Sequence, residues 1–129
     1  MISRAGEEVK KEMMTAVTLR RELEAVEREW RDLLTVLEEG ELGESEYAIA
    51  EAVNRERAAL RRELTRQQLK NWARLSKAAL TPLQRRVLGL RFVQGCPWSE
   101  IVERVQKAKQ YLLREHNKAL DILGAQQRD

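Results

Sequence analysis

The chain has 129 residues and a net charge of only +3, enough for one domain, or for a small domain carrying an extended appendage. Two prolines, six glycines and 35% charged residues favour long amphipathic helices and an all-α fold. No apolar run approaches the roughly 18 residues that a membrane span needs, and the lone Cys96 cannot form an internal disulfide.

In chain order, the first 14 residues lack the apolar stretch of a signal peptide, so the expected location is the cytoplasm. From Val9 the apolar residues follow a heptad. Val9, Ala16, Leu23, Trp30 and Leu37 hold one position, and Leu19, Val26 and Leu33 the other, with Glu12 breaking the second series. Such a repeat makes a narrow seam suited to a coiled-coil partner. Residues 38–43 (Glu-Glu-Gly-Glu-Leu-Gly) end this helix with Gly40 as its cap, and Ser45 caps a second one.

The second helix carries Ile49, Val53, Leu60 and Leu64 on one stripe, backed by Ala52 and Ala59. Its phase shifts near Gln67 and Gln68 to a new stripe of Leu69, Trp72, Leu75 and Ala79. Each helix spans about 33 residues, roughly 50 Å at 1.5 Å per residue, and a short loop between them implies an antiparallel hairpin. Two helices alone leave a shallow core. A second copy, giving a homodimer, or the C-terminal helices of the same chain would cover the seam. Trp30 and Trp72 fall on these stripes and read as packing residues.

After residue 80 the punctuation changes. Thr81 as N-cap, Pro82 at the first helical position and Gln84 three residues after the cap form a capping box with proline at N1. That helix holds Arg85, Arg86, Val87, Leu90 and Arg91 and stops at residues 92–95. Pro97 and Trp98 open the next helix, with Ile101, Val102 and Val105. A last helix holds Leu112, Leu113, Ala119, Leu120 and Leu123. The organisation expected is a helical hairpin over 1–79, the oligomerisation region, followed by a DNA-binding domain over 80–129. Charge divides unevenly as well: residues 1–44 hold seven Lys/Arg against twelve Asp/Glu, and residues 81–129 nine against five. An acidic N-terminal part and a basic C-terminal part suit a protein-interaction end and a DNA-binding end.

The spaced pattern of Leu80, Thr81, Arg85, Val87, Leu90, Arg91, Phe92, Gly95, Pro97, Trp98, Glu100, Ile101, Val102, Arg104 and Val105, closed by Arg114, His116, Lys118, Ala119, Leu120 and Leu123, resembles region four of bacterial sigma factors. It is similar, too, to the phage transcription regulators of the ArpU and RinA kind. About a third of the chain is covered. The resemblance implies a C-terminal helix-turn-helix that binds duplex DNA at or near a promoter. The chain departs from the family at the turn, where a glycine, an apolar residue and a serine cap are usual and Gln106, Lys107 and Ala108 stand instead. Alanine is a poor N-cap, so a looser turn or partly merged helices are expected. Glu115 occupies a position that the family keeps apolar.

On the last helix, Leu112, Ala119, Leu120 and Leu123 are expected to face Ile101, Val105, Val87 and Leu90. Lys109, Gln110, Arg114, Asn117 and Lys118 then lie outward. Arg pairs bidentately with guanine and Gln with adenine, so Arg114 and Gln110 are the base-reading candidates. Lys107, Lys109 and Lys118 are candidate phosphate contacts, and Arg85, Arg86 and Arg91 candidate backbone contacts. Catalytic readings find little support. His116, the only histidine, borders an apolar stripe and reads as a structural or phosphate-contacting residue. No phosphate-binding glycine loop, nucleophile elbow or Cys-x-x-Cys pair occurs, so no enzyme activity, metal or cofactor is expected. The function expected is a phage or prophage transcriptional regulator whose partner is double-stranded DNA. Two alternatives are a small terminase subunit for DNA packaging, and an adaptor that contacts RNA polymerase without touching DNA.

Overall fold

The computed structural model describes residues 2–40 and 43–127. Among them every element is helical: α1 (Arg4–Glu39), α2 (Glu44–Lys77), α3 (Pro82–Leu88) continued by a π-helical turn (Gly89–Val93), α4 (Trp98–Val105) and α5 (Lys109–Gln127). Glu41 and Leu42 of the expected connecting loop lie outside the described residues. The N-terminus of α2 falls one residue before the expected cap: the Gly43 carbonyl accepts from Tyr47 N at 3.3 Å, and Ser45 sits inside the first turn. No described helix is long and apolar enough to cross a membrane.

The chain forms two compact units, one of residues 18–65 and one joining residues 1–17 to 66–129. They divide the two long helices themselves rather than the linker at 79/80. In the first unit, Val26 of α1 and Ala50 and Leu64 of α2 are buried, flanked by half-buried Leu23, Trp30, Leu33, Val53 and Leu60. The inward stripe of α2 also includes Arg57, whose guanidinium lies 4.9 Å from the Trp30 ring centroid. Glu27 accepts from Arg57 Nη2 at 3.0 Å and from Arg61 Nη2 at 2.6 Å. The hydrogen bond from Arg57 is the main cause that holds its carboxyl below the usual range.

The second unit has a core of Val9, Met13, Val17, Leu75, Ala78, Leu80, Leu88, Phe92, Ala119, Leu120 and Leu123. A second cluster holds Val87, Leu90, Cys96, Ile101 and Leu112. The segment from α3 through the π-helical turn therefore serves both. Leu88 and Phe92 serve one cluster and Val87 and Leu90 the other. The expected packing of α5 is corrected here. Leu112 does meet Ile101, Val87 and Leu90, but Ala119, Leu120 and Leu123 pack instead with the start of α1 and the end of α2. That approach is close. A Cβ at Gly124 would lie 2.6 Å from Gly6 N, and Asp121 Oδ1 accepts from Ser3 N at 2.7 Å. Ser3 Oγ in turn accepts from Gly6 N at 3.0 Å and caps α1.

The expected second stripe of α2 is corrected in part: Leu75 is buried as expected, but its other members are not. Leu69 is 64% and Trp72 49% exposed, whereas Asn71 between them is 2% exposed. The phase does not shift at Gln67; the inward stripe simply turns polar. Asn71 Nδ2 donates to Met13 O at 3.1 Å and Phe92 O at 3.0 Å, and Gln68 Nε2 donates to Val93 O at 2.7 Å. Two side chains of α2 thus satisfy the last carbonyls of the π-helical turn, which have no partner within that helix. Ile49, on the expected first stripe, is exposed.

Candidate nucleic-acid interface

The site is built on the entry to α5. The Thr81 side chain caps α3 at Gln84 N, and the Gln84 side chain accepts from Thr81 N at 3.0 Å, as the local pattern indicates. Gly95 closes the π-helical turn at φ 70°, with Cys96 N donating to Leu90 O at 2.8 Å. Pro97, in extended conformation, opens α4. Between α4 and α5 the turn is made by Gln106 at φ 60° and ψ 44°, its N–H donating to Val102 O at 2.8 Å. A glutamine takes the left-handed position that glycine fills at lower cost. The two helices are separate, not merged, and Ala108 stands in the N-cap position of α5 without a side-chain acceptor.

Along α5, Leu112, His116, Ala119, Leu120 and Leu123 are buried. The helical period then turns Gln110, Arg114 and Lys118 to the opposite side, where all three are exposed. Lys107 in the turn and Lys109 at the first helical position are exposed too. Tyr111, which the sequence pattern did not single out, is exposed beside them. The two carboxylates of α5 are engaged elsewhere. Glu115 Oε2 accepts from Gln84 Nε2 at 3.0 Å and its Oε1 lies 3.4 Å from Lys118 Nζ, while Asp121 holds Ser3 N. Lys107, Lys109 and Arg114 form no ion pair among the described residues. The first turn of α5 holds no acidic residue, so its unsatisfied N–H groups add to the positive end of the helix.

Four other expected contacts are placed differently. Asn117 is half-buried, with Oδ1 2.9 Å from His116 Nδ1. Arg85 donates to Leu75 O and Ala78 O, both at 3.4 Å, closing the end of α2. Arg86 Nη2 donates to Arg104 O at 3.2 Å at the end of α4. Arg91 donates to Cys96 O at 3.2 Å and lies 5.9 Å from the Trp98 ring centroid. The three arginines are thus fastened to carbonyls at helix ends and loops. His116 is buried, stacked on Phe92 at 5.8 Å and edge-on to Trp98 at 5.1 Å. Burial is the main cause holding its pKa below the ordinary 6.5, so it is a neutral packing residue with no access to a phosphate. Among the described residues no group of three His, Cys, Asp or Glu side chains is arranged to hold a metal. No family model matches the chain, nor does any curated protein or solved structure.

Proposed function

We propose that the chain is a non-enzymatic, duplex-DNA-binding transcriptional regulator of the phage type, in which α4 and α5 act as a helix-turn-helix and α5 enters the major groove. The observation that carries this reading is the outward face of α5: Lys107, Lys109, Gln110, Arg114 and Lys118 exposed together, with Asp121 of that helix accepting from Ser3 N and Glu115 shared between Gln84 and Lys118. Arg114 and Gln110, one turn apart, suit bidentate readout of guanine and adenine. The lysines suit phosphates.

The test is anisotropy of a labelled random duplex, followed by selection of preferred sites. Four cationic contacts give a log–log salt slope of about −3.6 per bound chain, at about −0.9 each. Lys109→Ala weakens all sequences alike and flattens that slope by about 1. Arg114→Ala costs roughly 1–3 kcal/mol on the preferred site with little change on random DNA. Absence of binding even at low salt overturns the proposal and leaves the α5 face to a protein partner, such as RNA polymerase.

Self-association belongs to the same reading. The heptad seam is largely covered within the hairpin, but Leu34, Val36, Tyr47 and Ile49 near its tip remain exposed, and this tip, rather than the seam, is the surface proposed to meet a second copy.

A further inference from the structure

Charge in this chain is sorted far more sharply than its total suggests. Residues 32–54 contain seven Asp/Glu and no Lys/Arg, while residues 55–91 contain eleven Lys/Arg and two Asp/Glu. In the unit of residues 18–65, the acidic stretch carries the exposed apolar side chains Val36, Tyr47 and Ile49 among exposed Glu38, Glu39 and Glu44. In the other unit, the exposed Trp72 forms one wall of an open groove of about 520 Å³ whose other walls include Arg85, Arg86, Gly89, Leu90 and Arg104. Gly89 leaves the Trp72 ring edge uncovered; a Cβ there would already be in van der Waals contact at 3.8 Å. One surface is apolar with an acidic rim and the other apolar with a basic rim, where Arg104 pairs with Glu100 at 2.7 Å and Arg86 forms no ion pair among the described residues.

We propose that the groove at Trp72 receives the acidic hairpin tip of a second copy of this chain, so that copies associate tip to groove. The apolar tip side chains cover Trp72, and the tip glutamates meet Arg86 at the rim. Apolar centres with a charged, complementary rim are the usual anatomy of a specific interface. Because the two surfaces differ, the contact is heterologous, and repetition closes a ring or extends a filament rather than stopping at a two-fold dimer. This rests on the proposed self-association at the tip and identifies its mate; it does not depend on DNA binding.

Charge exchange in the full-length protein tests it, read by light scattering over a range of concentrations with circular dichroism as a check on folding. Arg86→Glu alone, and the paired change Glu38→Arg with Glu39→Arg alone, should each weaken association about tenfold or more, since each sets like charges opposite one another. An equimolar mixture of the two variants should recover assembly, because the groove of the Arg86→Glu variant then meets arginine tips and the native groove meets native tips. Trp72→Ser should weaken association with no change in charge. A two-fold dimer indifferent to Arg86→Glu overturns the groove as the mate while leaving self-association intact. A monomer at every concentration overturns both. Failure of the mixture to recover, with both variants folded, also overturns the proposal.

Discussion

Replacing Asn71 by Ala should destabilise this protein far more than replacing Leu69 by Ala, the reverse of what hydropathy indicates. Asn71 is 2% exposed and donates to Met13 O and Phe92 O at 3.1 and 3.0 Å. Losing the bond to an acceptor that keeps another partner removes about 1 kcal/mol, and a buried acceptor left unpaired costs about 1–3 kcal/mol. Met13 O lies mid-helix and keeps its helical partner, so the orphan is Phe92 O, at the end of the π-helical turn. The net expectation is a loss of about 2–4 kcal/mol. For a chain of this length the melting temperature falls about 4 °C per kcal/mol, so Asn71→Ala should melt roughly 8–16 °C lower. Leu69, at 64% exposed, should shift stability by no more than about 0.5 kcal/mol when truncated. Urea titration and thermal melts followed by circular dichroism measure both. Equal losses, or a larger loss for Leu69→Ala, would refute the inward stripe through Gln68 and Asn71 and restore the stripe through Leu69 and Trp72.

Gln106→Gly should stabilise the fold by about 0.5–1 kcal/mol, because a left-handed residue with a Cβ costs about 1–2 kcal/mol and glycine returns only part of that as chain entropy; a lower melting temperature would contradict the observed turn. His116 predicts a pH dependence: burial keeps its pKa below the ordinary 6.5, so the unfolded chain takes up a proton that the folded chain resists. Stability present above about pH 6.5 should therefore decline as pH falls through that value towards the folded pKa. His116→Gln should abolish the slope in this window, as read from melts between pH 8 and pH 5. The depressed carboxyl of Glu27 acts in a separate window, its contribution being lost only as pH falls below its ordinary 4.5.

What the sequence made legible was local. The capping box at Thr81 and Gln84 and the proline start of α4 involve residues within one turn of each other, so spacing alone exposes them. The inward stripe of α5 and its outward Gln110, Arg114 and Lys118 follow from the 3.6-residue period for the same reason. What spacing does not expose are partners more than one helical turn away. Gln68 and Asn71 face inward because carbonyls at Val93 and Phe92 wait for them, and an apolarity count passes over polar residues in favour of Leu69 and Trp72. Arg85, Arg86 and Arg91, candidate backbone contacts by sequence, donate to carbonyls at Ala78, Arg104 and Cys96, and no capping pattern exposes these bonds. The approach of Gly6 to Gly124 spans nearly the whole chain. It carries the first turns of α1 into the unit that holds the candidate site.

The departures from the sigma-region-four pattern illustrate the same rule. Glu115 stands where an apolar residue is usual, and taken alone it breaks the inward face of α5. In place it accepts from Gln84, whose other amide atom closes the cap of α3. One glutamine thus ties the start of α3 to the middle of α5, and the glutamate's other oxygen pairs with Lys118. Had Glu115 turned outward, it would lie one position from Arg114 and oppose phosphate contact there. In place it satisfies a buried amide with one oxygen while the other pairs with Lys118 at the edge of the face proposed to meet DNA. The odd residue at Gln106 works in a similar way: the turn accepts a strained backbone rather than losing its separation of α4 from α5. Both departures leave Gln110, Arg114 and Lys118 exposed on the outward face of α5. Each replaces a local preference by a contact or a strain that only the assembled helices can support.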